Sequence, residues 1–280
     1  MCHNCHTSTT FQKFLKSEDP MLYGEYVLES FVQSNNKTEQ VDAKAFITKP
    51  VFETKPKTLL YNNALKMTGF NPNQPARKYL EDRKVSFDDL SYTCDFATFV
   101  KNVFPHYEKT LYKEPRIIIP FKDKDGNLLG IQGRAVDGRS KIKYITIKGN
   151  EDDPKIFGWD RLDPLQTVYV VEGPIDSTFL TNSVATMDAA LYVAPRIIGL
   201  DKDYIFVYDN EPRNKQIVSN IRKTISLGRK VCIWPDTIHQ KDINDMVLSG
   251  MHPSEIQHII DNNTYDGLMA TMKMNQWEKL

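Results

Sequence analysis

The strongest constraint on the fold is a short apolar run that ends in an acidic residue. Residues 167–171 (TVYVV) are mostly β-branched or aromatic, and a run of this kind predicts a buried strand of a parallel sheet. Glu172 follows directly, and Asp176 comes after a glycine and a proline that favour a sharp turn and a helix start. Glu172 is therefore expected at the carboxyl end of a central strand, where open α/β sheets bind their ligands.

Two later segments repeat this arrangement of an apolar run followed by acidic residues. Residues 204–208 (YIFVY) precede Asp209 and Glu211, and residues 231–234 (VCIW) precede Asp242. Because alternate residues of an extended chain point the same way, Asp209 and Glu211 are expected to share a face. Carboxylates gathered at one sheet edge repel one another unless a cation joins them, and hard oxygen ligands select Mg²⁺ or Mn²⁺. The alternative for any single position is an acidic helix cap or a solvated loop residue.

Taken together, the acidic segments resemble the Toprim domain of DnaG-type primases, topoisomerases and some nucleases. The motifs E-G-x-x-D, D-x-E and K-D-x-N-D occur in that order within residues 167–247, each after an apolar run. The resemblance implies a Rossmann-like parallel sheet in which Glu172 is the catalytic glutamate and Asp176 supports it. It also implies roles for further side chains: Mg²⁺ (or Mn²⁺) at Glu172, Asp209, Glu211 and Asp242, with Asp236 and Asp245 as second candidates, and phosphate neutralisation by Lys241.

Two positions depart from the commoner form of these motifs. Glu211 stands where aspartate is more common, and its side chain reaches one methylene further, so the metal geometry is expected to shift. Asn244 stands where bacterial relatives often carry aspartate. The loss of that charge is expected to weaken one metal site.

The formal net charge of zero conceals a basic block followed by an acidic one. Residues 101–150 hold 11 Lys+Arg and 5 Asp+Glu, a net charge of +6, whereas residues 151–212 hold 4 and 12, a net charge of −8. This asymmetry indicates a surface for a polyanion beside a site for divalent cations. The alternative is a chance clustering of surface charge.

The basic block contains the second informative pattern. Residues 115–121 and 128–134 predict two strands joined at an Asp-Gly turn. With Lys143 after them, they resemble the N-terminal polymerase subdomain of DnaG-type primases, in which Arg134 and Lys143 match basic residues that face nucleotide and template. The upstream segment 75–86 is similar to one that precedes this body, and Arg77 within it is a nucleic-acid candidate. The alternative for each of these residues is an exposed surface position.

The N-terminus carries one C-x-x-C pair, Cys2 and Cys5. Such a pair is one knuckle of a zinc ribbon, and residues 8–17 resemble the helix that follows a ribbon in primases. No second pair is present, and half a ligand set seldom holds zinc. Cys2 and Cys5 are therefore either Zn²⁺ ligands completed from elsewhere or an unmetallated remnant of a ribbon whose first knuckle is missing.

The predicted fold class is α/β, with a Toprim sheet preceded by a mixed α+β primase subdomain and a partial zinc ribbon. The length of 280 residues allows one to three domains. The expected organisation is a partial zinc-ribbon knuckle and helix (1–18), a helix and linker (19–57), the basic primase subdomain (58–165), the Toprim subdomain (166–250) and a C-terminal helical tail (251–280).

The resemblance implies a DNA primase, a nucleotidyltransferase that makes short RNA primers from NTPs on single-stranded DNA during phage replication. It implies a replicative helicase as a partner and the cytoplasm of the infected bacterial host as the location. No apolar run reaches the ~18 residues of a membrane helix, so no membrane association is expected. Two alternatives stay open: a Toprim nuclease or topoisomerase, and a non-catalytic nucleic-acid-binding relic. A topoisomerase would need a separate DNA-gate domain, and a nuclease of the overcoming-lysogenisation type would need a phosphate loop.

Overall fold

The computed structural model describes Tyr23 and Tyr26 and the ranges 75–86, 89–136, 140–187, 190–199 and 203–279. The chain divides into two compact units, Met1–Glu53 and Thr54–Leu280. In the first unit, Tyr23 and Tyr26 are helical and half-buried. The predictions for the zinc-ribbon segment, including Cys2 and Cys5, and for the linker lie outside the described residues. All elements below belong to the second unit.

The basic block forms a four-stranded antiparallel sheet whose strands follow one another in chain order. Helix α1 precedes the sheet, and helix α2 connects its first two strands. The elements are α1 (Pro75–Asp82), β1 (Ser91–Thr93), α2 (Phe96–Val103), β2 (Arg116–Lys122), β3 (Leu128–Ala135) and β4 (Tyr144–Lys148). The predicted strand pair is therefore confirmed as β2 and β3, which pair from Arg116–Ala135 to Lys122–Leu128.

Helix α2 packs on this sheet because the local sequence both starts the helix and makes room for it. Asp95 caps the helix and accepts a hydrogen bond from the backbone N of Thr98 at 3.0 Å. The ring of Phe96 lies against Gly133 of β3, where a Cβ atom would approach Phe96 Cε2 to 2.5 Å. Any larger residue at position 133 would push the helix off the sheet.

The second sheet has five strands in the order β6-β5-β7-β8-β9, parallel except for β9. Short helices connect its strands and follow its last strands. The elements are β5 (Val168–Val171), α3 (Pro174–Ser177), β6 (Ser183–Ala185), α4 (Ala194–Ile198), β7 (Tyr204–Val207), α5 (Lys215–Ser226), β8 (Lys230–Cys232), α6 (Ile243–Leu248), α7 (Pro253–Asn262), β9 (Thr264–Tyr265) and α8 (Gly267–Trp277).

The predicted apolar strands are confirmed as β5, β7 and β8, and every residue of β5 and β7 is buried. The C-terminal segment differs from the single terminal helix that its sequence suggests. It forms two helices, α7 and α8, because Thr264 and Tyr265 between them pair with Cys232 and Val231 of β8. The added strand covers the edge of the parallel sheet.

One buried cluster joins the two sheets. Ile117, Ile119 and Phe121 of β2 belong to the same apolar core as Val170 of β5 and Phe206 of β7. The boundary proposed near residue 165 thus separates two sheets that share a core. No helix in the described ranges is long and apolar enough to span a bilayer.

Candidate active site

The carboxyl ends of β5 and β7 bring two of the predicted carboxylates together. Val171 and Val207 are neighbours in the parallel pairing, so Glu172 and Asp209 follow at the same sheet edge. The backbone N of Asp209 donates a hydrogen bond to Glu172 Oε1 at 3.2 Å. Burial raises the pKa of Glu172; the Asp209 N–H opposes this increase, and the Glu211 carboxylate adds to it.

Asp209 is half-buried beside three other carboxylates of this edge. Burial raises its pKa to about 8, and the neighbouring carboxylates of Glu172, Asp176 and Asp242 contribute in the same direction. Lys241 acts against them. The fold therefore holds several carboxylates where their negative charges are poorly compensated.

Asp176 lies in the first turn of α3 and points back towards this edge. Its Oδ1 accepts a hydrogen bond from the backbone N of Asn244 at 2.9 Å. Burial, followed by the charge of Asp242, raises the pKa of Asp176 to about 7. Gly173 leaves the space that the Asp176 carboxylate fills, because a Cβ atom there would collide with Oδ2.

Lys241 and Glu211 form the solvent side of the acidic edge. The Lys241 Nζ lies 3.4 Å from Glu211 Oε1 and 3.9 Å from Asp209 Oδ2, and the lysine side chain is half-exposed. Desolvation acts to lower the pKa of Lys241, but the charges of Glu211 and Asp209 outweigh it and the pKa is raised. Lys241 thus remains a cation beside these two carboxylates.

Of the third acidic segment, Asp242 lies at the acidic edge, whereas the second candidates Asp245 and Asp236 do not. Asp242 caps α6 and accepts a hydrogen bond from the backbone N of Asp245 at 2.7 Å. Asp245 is exposed. Asp236 is also exposed, and it lines another cavity beside Trp277.

Asn244, where an aspartate was the commoner expectation, is buried and bonded to α1. Its Oδ1 accepts a hydrogen bond from Arg83 Nη1 at 2.5 Å, and its Nδ2 donates to the Arg83 carbonyl oxygen at 2.8 Å. Its backbone N binds Asp176, as described above. The amide therefore connects the acidic edge to the residue that follows α1, and no free carboxylate is needed at this position to do so.

A cavity of about 220 Å³ lies between the acidic edge and the basic block. Both predicted basic residues of the first sheet line it together with the acidic side. Its charged and polar lining residues are Arg83, Arg134, Lys143, Tyr144, Asp176, Lys241, Asp242 and Asn244. Basic groups and carboxylates thus face one small volume, which suits a ligand that carries phosphates beside a cation.

Arg134 is held in this cavity by aromatic rings. Its guanidinium carbon lies 4.7 Å from the ring centre of Tyr79 and 4.9 Å from that of Tyr144. Arg134 Nη1 donates a hydrogen bond to the Tyr144 hydroxyl. The buried Nε of Arg134 has no hydrogen-bond partner among the described residues. Lys143 beside it is exposed, with its Nζ 5.6 Å from the Tyr144 ring centre.

Helix α1 brings Arg83 to the cavity, whereas Arg77 pairs with Glu81 at 2.6 Å. Arg77 was the nucleic-acid candidate predicted from sequence; Arg83 was expected on a solvated helix face, and Tyr79 and Tyr144 were not predicted as site residues. Part of the signal was present in the helical spacing, since Tyr79 and Arg83 are one turn apart. The rest required knowing which elements pack against α1.

The acidic edge fits a divalent cation in its donor chemistry. Glu172, Asp209, Glu211 and Asp242 supply only oxygen ligands, which Mg²⁺ and Mn²⁺ prefer. Burial, followed by the neighbouring carboxylates, raises the pKa of Asp209, and a bound cation would lower it again. As the side chains stand, no group of three or more His, Cys, Asp or Glu residues within the described ranges is arranged to hold a metal ion.

The structure combines a parallel sheet with an acidic edge and a basic antiparallel sheet, and the two sheets share one apolar core. Solved structures of bacterial primases share this fold. The Aquifex aeolicus primase (zinc-binding and RNA polymerase domains) matches with a TM-score of 0.59 and 18% identity over 94% of this chain and 73% of that chain. The RNA polymerase domain of Mycobacterium tuberculosis DnaG matches with a TM-score of 0.56 and 17% identity over 73% and 82%.

The sequence comparison points to the same proteins. The DNA primase of enterobacteria phage T4 is 29% identical over 284 residues, which span 100% of this chain and 81% of the relative. The DNA primase of Mycoplasma genitalium is 38% identical over 84 residues, which cover 27% of this chain and 14% of the relative. No family model matches. The chain is a homologue of the DNA primases and has the fold of the DnaG catalytic core.

Proposed function

We propose that this chain is a DNA primase, which joins ribonucleotides into short RNA primers on a single-stranded DNA template. The observation that carries the proposal is the cavity in which Arg83, Arg134 and Lys143 face Asp176, Lys241 and Asp242. The full-length similarity to the T4 primase supports it. One structural neighbour is a DnaG catalytic domain bound to ssDNA, with a TM-score of 0.52.

The acidic edge would hold Mg²⁺ or Mn²⁺ through Glu172, Asp209, Glu211 and Asp242. In primer synthesis a 3′-hydroxyl attacks an α-phosphate and pyrophosphate leaves, and a bound divalent cation neutralises charge on the phosphoryl oxygens. Glu172 Oε1 accepts a hydrogen bond from the Asp209 N–H, which fixes its orientation, and we assign Glu172 as the catalytic glutamate.

Asp176 has a different role from the carboxylates proposed to hold the metal. Its Oδ1 is fixed by the Asn244 N–H, and its pKa of about 7 lets it hold a proton near neutral pH. We assign it to support the ligand carboxylates and to limit their mutual repulsion. Lys241, which stays charged, neutralises phosphate at the open side of the edge.

The basic residues divide between orientation and attraction. Arg134 is braced by Tyr79 and Tyr144, so its guanidinium is preorganised to bind a phosphate through two hydrogen bonds. Lys143 is exposed and acts as a point charge for the template backbone. We transfer the role first given to Arg77 to Arg83, because Arg83 lines the cavity.

Two finer parts of the function rest on the family alone. A replicative helicase would recruit the primase to the template, and the phage host cytoplasm would be the place of action. Cys2 and Cys5 would bind Zn²⁺ only if further ligands join them, since a structural zinc site has four ligands.

The test is incorporation of labelled ribonucleotides by the purified chain on single-stranded DNA with Mg²⁺. The wild type and Glu255→Gln, a change at an exposed glutamate of α7, should both give short RNA oligomers. Glu172→Gln should give none. Degradation of the template by the wild type would instead indicate a Toprim nuclease, and template binding without product would indicate a non-catalytic relic.

A further inference from the structure

A side chain from the last helix reaches the acidic edge. Trp277 Nε1 donates a hydrogen bond to Asn210 Oδ1 at 3.0 Å, and Trp277 is 6% exposed. Asn210 lies between Asp209 and Glu211 in the chain. The C-terminal helix α8 is thus bonded to the residue that separates two of the proposed metal ligands.

Asn210 also holds the loop that carries the third acidic segment. Its Nδ2 donates to the carbonyl oxygens of Ile238 at 2.9 Å and Gln240 at 3.1 Å. Its backbone N donates to the carbonyl oxygen of Lys241 at 2.6 Å. Asp242 is the next residue. Every polar group that the Asn210 side chain offers is therefore engaged, with the loop on one side and with α8 on the other.

The end of α8 is itself anchored, so the indole is a fixed donor. Met274 and Trp277 are buried in the core. The backbone N of Lys279 donates to the carbonyl oxygen of Pro212 at 2.9 Å, and Glu278 pairs with Arg222 of α5. These contacts hold α8 against the segment that follows Glu211.

We propose that Trp277 and Asn210 are positioning residues that set the affinity of the acidic edge for a divalent cation. They do so by fixing the spacing between the Asp209–Glu211 segment and the Lys241–Asp242 segment. This inference rests on the proposed function, because it assigns these carboxylates as the metal ligands. Without the indole N–H, the Asn210 amide loses one of the three hydrogen bonds that fix its rotamer, and it holds the 238–241 loop less firmly.

The test measures Mn²⁺ binding to the full chain by electron paramagnetic resonance of the free ion. Trp277→Phe keeps an aromatic ring in the core but removes the N–H donor and part of the buried ring volume, so its unfolding temperature is measured beside its Mn²⁺ affinity. Its Mn²⁺ affinity should fall about three- to tenfold, as expected for the loss of one hydrogen bond at a ligand loop. Asn210→Ala should weaken binding at least as much, and the double variant should bind like Asn210→Ala alone because both changes break the same link.

Tyr169→Phe is the matched control. It removes one hydroxyl hydrogen bond, from Tyr169 to Asp261 Oδ1 at 2.6 Å, on the same sheet. It should lower the unfolding temperature and leave Mn²⁺ affinity unchanged.

Wild-type Mn²⁺ affinity in folded Trp277→Phe, or additive losses in the double variant, would overturn the proposal. If Trp277→Phe fails to fold, unchanged affinity in Asn210→Ala has the same force. A wild-type chain that binds no Mn²⁺ also overturns it. A wild-type chain that binds Mn²⁺ tightly but makes no primers refutes the proposed function instead, and the positioning role of Trp277 is then still decided by the affinities.

Discussion

The acidic edge of the parallel sheet and the basic wall of the cavity handle charge in opposite ways. On the acidic edge, burial and neighbouring carboxylates raise the pKa of Asp209 to about 8 and that of Asp176 to about 7. On the basic wall, Arg134 lies between two tyrosine rings that stabilise a cation. The tyrosine rings thus stabilise the charge of Arg134 within the protein, whereas the carboxylates of the acidic edge lack enough positive charge beside them. We therefore expect a bound ligand to balance the charge of the acidic edge, whereas Arg134 on the basic wall is already oriented to bind a ligand.

The largest expected effect tests whether primer synthesis takes place at the acidic edge. Asp209→Asn should reduce primer synthesis by about 1,000-fold or more. It removes one of the carboxylates proposed to hold the divalent cation that neutralises the phosphoryl oxygens. Labelled ribonucleotide incorporation measures this. Asp203→Asn, at an exposed residue that pairs with Lys230 at 2.9 Å, is the control and should keep its activity. Equal activity in both variants would contradict the assignment.

A smaller effect is expected on the basic wall. Arg134→Lys keeps the charge but loses the planar group that stacks on Tyr79 and Tyr144, so triphosphate binding should weaken about tenfold. The measurement is the KM for ribonucleotides, with the unfolding temperature as a check of folding. Arg77→Lys, outside the cavity, should leave the KM unchanged. An unaffected KM in Arg134→Lys would show that the charge alone suffices.

The stability of the metal-free chain should depend on pH because of the acidic edge. The folded pKa values of Asp209 and Asp176 lie above their unfolded values, so their stabilising contribution is present below pH ~4 and is lost as pH rises to about 8. In EDTA, the unfolding temperature should therefore fall across this window. Asp209→Asn should fall less, by about 2–4 °C for each kcal/mol of relieved repulsion.

Added Mg²⁺ sharpens this comparison. At pH 8 it should raise the unfolding temperature of the wild type more than that of Asp209→Asn, since binding to the folded state stabilises it. If the two proteins show the same pH dependence in EDTA, Asp209 does not carry the repulsion.

The smallest expected effect separates Arg77, which lies in α1, from Arg83, which directly follows that helix. Arg83→Ala should weaken binding of single-stranded DNA roughly two- to fivefold and reduce its salt dependence, whereas Arg77→Ala should change both little. Fluorescence anisotropy at several salt concentrations measures the difference. The reverse order would return the nucleic-acid role to Arg77 and would place the template outside the cavity.

The acidic edge was predictable because sheet topology determines it. Apolar runs followed by Glu172, Asp209 and Asp242 can end in one place if the strands are parallel, and β5, β7 and β8 are. The apolar runs predicted where the strands end, and the Toprim resemblance implied that these ends meet at one edge.

The contacts that hold the acidic edge in place could not be predicted, because they join residues that are far apart in the sequence. Arg83 meets Asn244 across 161 positions of sequence, and Trp277 meets Asn210 across 67. Such contacts depend on how α1 and α8 pack, and no periodicity in the sequence encodes that partner choice. The interruption of the C-terminal helix by β9 was missed for the same cause, since a two-residue strand leaves no pattern.

The buried cluster that runs through both sheets has a consequence for how the chain folds. Because Ile117 and Phe121 complete the same core as Val170 and Phe206, a fragment that begins at the parallel sheet would expose an apolar face to water. Neither sheet is then an autonomous folding unit. Residues 75–279 should unfold in one cooperative transition. The acidic edge and the basic wall should therefore form and unfold together, and a partly folded chain should contain neither of them.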